Sequence, residues 1–143
     1  MKKILLLSII TLGGFISINA QSLTFEETVK YINGKMLKYS DYTARISAKQ
    51  NGDILEYNGD GRNYAEYNLF DIKLKYELRY DEMKLVVICA SGENCIKRRD
   101  KDGDIRFADV MTGDIATNAE AEKIIKAFNH LRTLCKKEVD PFD

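Results

Sequence analysis

Two cysteines, Cys89 and Cys95, enclose five small or polar residues in the stretch ICASGENCI, residues 88–96. Thiols so placed could hold a metal, exchange electrons or form a bridge. Structural zinc sites use four protein ligands and favour close pairs such as C-x2-C. This chain has three cysteines and one histidine in all, and it lacks the redox motif C-x-x-C. Ser91-Gly92-Glu93-Asn94 is turn-forming, so the spacing predicts a disulfide where two strands meet a tight loop. Cys135 is then a free thiol, placed on an apolar helix stripe that predicts burial. Pairing of Cys135 with Cys89 or Cys95 is the alternative that spacing leaves open.

Three further sets of residues invite chemistry. Asp100-Lys101-Asp102-Gly103-Asp104 carries carboxylates at alternate positions, as a calcium loop does. The loop needs Gly at its sixth position and a bidentate Glu at its twelfth. Ile105 and Met111 stand there, so a turn between strands is the better account, and neither a metal nor a cofactor is expected. His130, the only histidine, would have to serve any hydrolytic triad, but no G-x-S-x-G elbow accompanies it. With Lys123, Lys126 and Lys137 it forms a basic helix face that could meet anionic lipid or a partner. The third set is EYNGDGRNYAEYN, residues 56–68. Tyr57, Asn58, Arg62, Asn63, Tyr64 and Tyr67 combine stacking faces with donors and acceptors, which suits recognition of a glycan or a protein.

The elements that must position these residues follow from periodicity. Thr24 and Glu27 fit a capping box. Phe25, Val29, Ile32 and Met36 then lay an apolar stripe along a first helix. From Asp41 the period changes to two. Strands are predicted over 42–49, 54–57, 64–72, 74–80, 83–90, 95–99 and 105–111, with turns at Asn51-Gly52, at 58–61 and at Asp102-Gly103. MKLVVICA (83–90) is apolar at nearly every position, which predicts a central strand covered on both faces. Thr117 and Glu120 suggest a second capping box. Ala121, Ile124, Ile125, Phe128, Leu131 and Cys135 line one face of a final helix, and Pro141 lies beyond its end. Helix, six or seven antiparallel strands and helix, without βαβ alternation, make an α+β domain.

The N-terminal residues read differently. Lys2 and Lys3, an apolar run over 4–18 and the small Ala20 fit a secretory signal peptide over 1–20, leaving 21–143 as one domain. The run is too short for a membrane span, and no later segment of the chain could span a bilayer. The whole chain balances 22 basic against 22 acidic side chains. Without residues 1–20 it is slightly acidic, which disfavours nucleic-acid binding. The expected location is the periplasm or the medium, where a disulfide persists.

The final helix AEKIIKAFNHLRTLC, with FDIKLKYEL and ICASGENCI before it, resembles a group of small exported, uncharacterised proteins of Bacteroidota. The order of strands followed by one long helix also resembles a pleckstrin-homology-like, partly open barrel, which implies that the last helix packs on the sheet. Such folds host many partners, so no activity follows from either likeness. The residues together predict an exported binding module without catalytic residues. A His130 hydrolase or a peripheral membrane protein are the alternatives.

Overall fold

The computed structural model describes residues 23–39, 44–57, 64–79, 81–115 and 117–137. Helix α1 (Phe25–Tyr39) comes first and helix α2 (Asn118–Leu134) last. Between them run strands β1 (Arg45–Ala48), β2 (Asp53–Tyr57), β3 (Tyr64–Asn68), β4 (Ile72–Arg79), β5 (Glu82–Cys89), β6 (Ile96–Arg99), β7 (Ile105–Ala108) and β8 (Val110–Asp114). They form a five-stranded sheet in the order β1-β2-β3-β6-β7 and a three-stranded sheet in the order β4-β5-β8. The described strand pairs are all antiparallel. The fold is α+β, as predicted, but the described strands number eight and they divide into two sheets that do not close into a barrel.

The higher count has a local cause. The strand predicted over 64–72 breaks at Leu69–Asp71, and that over 105–111 breaks at Asp109. At each break the chain leaves one sheet and enters the other. A third crossing runs from β5 to β6 through the cysteine loop. All three meet at one seam. The Ala90 N–H donates to the Asp71 carbonyl at 2.7 Å, and the Cys89 N–H donates to the Asp109 carbonyl at 2.8 Å. Cys89 and Cys95 lie at disulfide distance here, with Sγ atoms 2.13 Å and Cα atoms 5.7 Å apart. Arg132 of α2 donates from Nε to the Leu69 carbonyl at 2.8 Å and from Nη2 to the Ile72 carbonyl at 3.0 Å. One guanidinium thus satisfies carbonyls that the bend removes from the ladder.

The core fills the space between sheets and helices. Ile32 of α1 and Ile124, Phe128 and Leu131 of α2 meet Ile46, Ile54 and Tyr67 of one sheet and Leu85 and Val87 of the other. Strand β5 is central to its sheet, and Leu85, Val86 and Val87 are consecutively buried, as its sequence predicts. The alternation in β4 is honoured only in part. Ile72 is buried, but Leu78 is 65% exposed.

Both helix starts carry the predicted threonine caps. At α1 the box is complete: the Thr24 N–H donates to Glu27 Oε2 at 2.9 Å, and the Glu27 N–H donates to Thr24 Oγ1 at 3.3 Å. At α2 only the Thr117 half is made. The Glu120 carboxylate instead accepts from Lys35 and Lys123, each at 2.9 Å, and so ties α2 to α1. Helix α1 also finishes the sheet edge. Asn33 accepts from the Ile46 N–H at 2.7 Å and donates to the Ile46 carbonyl at 3.0 Å, standing in for a neighbouring strand beside β1. Helix α2 ends at Leu134, so Cys135 is its extended C-cap and only half-buried rather than part of the stripe.

Candidate functional site

The site begins with a violation of strand alternation. In β2 the buried Ile54 is followed two residues later by Glu56, and in β6 the buried Ile96 is followed by Arg98. Period two sends both charged residues to the same inward face as their apolar neighbours. The register confirms the placement. Ile46 stands opposite Glu56, Glu56 opposite Ala65, Ala65 opposite Arg98, and Arg98 opposite Arg106. This row crosses all five strands. Ile46 is 2% exposed and Ala65 5%, which identifies the inner face.

Over this row lies a solvent-open cavity of about 520 Å³. Glu56, Arg98 and Arg106 give it charge, while Ala65, Ala108 and Met111 give it apolar surface. Tyr64, Arg99 and Phe107 also line it, as do Thr112 of β8 and Asp100 and Asp104 of the β6–β7 turn. Three acidic and three basic side chains therefore share one concavity. A narrower pocket of about 50 Å³, mostly apolar, shares Glu56 and Met111 with it and reaches Val87 and Ile124.

The charges are only loosely matched to one another. Tyr67, buried beneath the row, donates its hydroxyl to Glu56 Oε2 at 3.2 Å. Withdrawal from solvent raises the Glu56 carboxyl above its ordinary pKa, and the Tyr67 hydrogen bond and the Arg98 charge oppose that rise. Burial, followed by the Glu56 charge, pushes the Tyr67 phenol well above its usual range. Arg98 forms no ion pair among the described residues. Arg106 is 76% exposed at its side chain and reaches Asp100 and Asp104 only at 4.0 Å. Two guanidiniums side by side are a fork for an anion. A carboxylate with one phenol donor can take a further donor.

The residues expected from sequence fall as follows. Tyr64 lines the cavity, with the Arg99 guanidinium 5.9 Å from its ring centre. Tyr67 supports the cavity from the core. Tyr57 pairs with Tyr64 in the ladder but is not among the residues that line the cavity. Asn58, Arg62 and Asn63 lie outside the described residues. Glu56, Arg98 and Arg106 were not singled out by type. Their signal is positional: charge at the inward phase of a strand.

The other candidates are engaged elsewhere. His130 Nε2 meets the Leu23 carbonyl at 2.8 Å, and a carbonyl only accepts, so this contact assigns the ring proton to Nε2. The basic helix face is broken where Lys123 pairs with Glu120, while Lys126 and Lys137 are exposed. Asp100 Oδ1 accepts from the Asp102 and Asp104 N–H groups, each at 3.0 Å, which makes the acidic run a turn. Among the described residues no cluster suited to a metal ion occurs. Cys135 has its thiol pKa raised by burial, against a hydrogen bond from the Gly52 backbone. No family model matches the chain, and neither a curated protein nor a solved structure gives a significant match.

Proposed function

We propose that the chain is an exported, non-enzymatic binding module whose ligand seat is the cavity over the Glu56–Ala65–Arg98–Arg106 row. One observation carries this reading: charged side chains stand on an inward sheet face, around an open cavity of about 520 Å³, and are only loosely matched to each other. Withdrawing the Glu56 carboxylate from solvent here costs stability, and a ligand that completes the arrangement offsets that cost. The volume suits a small solute. The Cys89–Cys95 pair at disulfide distance fits an oxidising compartment, in line with the leader read at residues 1–20. A His130 hydrolase is the weaker reading, because that ring is bonded to Leu23. Docking through the basic face of α2 is weaker because Lys123 is paired.

Native mass spectrometry of the exported protein tests the proposal. A small adduct that leaves on denaturation, and that Arg98→Glu abolishes while the variant stays folded, is the expected result. An adduct indifferent to Arg98→Glu would place the seat elsewhere.

A further inference from the structure

Resting on that reading of the cavity, we infer that its ligand is a compact zwitterion, an anion and an ammonium on one short frame, with free amino acids as the simplest class. The argument starts from the row. Glu56 and Arg98 are separated by the single position of Ala65. Two strand spacings put their Cα atoms about 9–10 Å apart. They form no ion pair with each other. Ala65 presents one methyl between them, so the row has opposite charges at its two ends and room above its middle.

Each end is incomplete in a complementary way. Arg98 and Arg106 are directly opposite across the β6–β7 pair, and Asp100 and Asp104 reach Arg106 only at 4.0 Å, so this pairing of like charges is offset only in part. A carboxylate received between two guanidiniums removes that repulsion and gains charge-assisted hydrogen bonds. At the other end Tyr67 occupies Glu56 Oε2, and among the described residues no donor reaches Oε1. An ammonium there would pair with a carboxylate that is otherwise half-buried without a cation in contact. A plain anion would satisfy the arginines but add a like charge near Glu56. A plain amine would leave Arg98 without an anion. A molecule carrying both groups answers both ends. The apolar lining by Ala108, Phe107 and Met111 leaves space for a hydrocarbon side chain.

Calorimetric titration of the exported protein with leucine, with 4-methylpentanoate, which lacks the ammonium, and with isopentylamine, which lacks the carboxylate, tests this. Leucine should bind, and each half-ligand should bind about tenfold more weakly or worse, the size of one charge-assisted contact. Arg98→Gln should weaken leucine about tenfold. Glu56→Gln should weaken leucine but tighten 4-methylpentanoate, which no longer meets a like charge, a pattern that general unfolding cannot produce. If the carboxylate alone binds as tightly as leucine and Glu56→Gln is neutral, the cavity is an anion site and the zwitterion fails while the cavity stands. If leucine binds but ignores Arg98→Gln, both the zwitterion and the cavity reading fail. If neither leucine nor a pool of the common amino acids binds, the zwitterion is overturned. The adduct experiment above then decides the cavity independently.

Discussion

Tyr67 and Glu56 face each other diagonally across the β2–β3 pair, with the phenol donating to Oε2 at 3.2 Å from within the core. The carboxyl group is held in the structure at a cost, because burial raises its pKa. The cost applies where the group is ionised, above that raised pKa, and fades as pH falls through it. Glu56→Gln keeps the shape and an acceptor for Tyr67. It should therefore raise the melting temperature at neutral pH, with a gain that shrinks as the solution is acidified. Thermal unfolding at several pH values checks this. A variant less stable than wild type throughout would mean that the charge is compensated.

Tyr67→Phe removes the only hydrogen-bond donor that Glu56 has among the described residues. Loss of a buried hydrogen bond to a charged group costs about 1–3 kcal/mol, measurable by urea unfolding at pH 7. The double variant with Glu56→Gln should lose less than Tyr67→Phe alone, since the stranded charge is gone. Additive losses would show the two groups to be uncoupled.

Arg132 bonds the carbonyls of Leu69 and Ile72 where β3 turns into β4. Arg132→Met retains much of the stem and deletes the fork. The variant should be destabilised by about 1–3 kcal/mol. Amide exchange should quicken around 69–72 before it does in the centre of β5. Uniform loss of protection would show that the bend is held by other contacts.

The short loop closed by Cys89 and Cys95 removes little chain entropy, so its contribution should be about 2 kcal/mol. The chain under oxidising conditions should weigh two hydrogens less than its reduced form and carry one alkylatable thiol, Cys135. Three alkylatable thiols without reductant would sink this expectation.

Glu120 is held down to about 2 by hydrogen bonds from Lys35 and Lys123. Its folded pKa lies below the ordinary 4.5. The stabilisation is therefore complete above the ordinary value and is lost as pH falls toward about 2. Glu120→Gln should be less stable than wild type at pH 6 and equal to it below pH 2. A difference that persists at the acid end would point to packing and not to charge.

Much of the architecture is legible in the residues. Period 3.6 marks both helices, Thr24 and Thr117 mark their starts, and the turn-forming loop between Cys89 and Cys95 marks their pairing. What periodicity does not carry is where a strand changes sheets. Leu69–Asp71 and Asp109 read as strand because their neighbours do, and only tertiary hydrogen bonds to Arg132 and Cys89 reveal the breaks. The candidate site was half legible. Tyr64 and Tyr67 stand out by type. Glu56, Arg98 and Arg106 come together only through the register of strands far apart in sequence, which no local pattern encodes.

The Asn33 amide beside β1 has a consequence for counting copies. It fills the outward N–H and C=O of Ile46, the middle of that edge, while β7 has no further strand beyond it among the described residues. A sheet with two open edges can add neighbours without end, whereas among the described residues this one is blocked at the middle of β1 and open at β7. A second copy joining edge to edge through β7 would use that edge on both molecules and so close the pairing of this sheet at two, a limit that does not extend to β4 and β8, the edges of the other sheet.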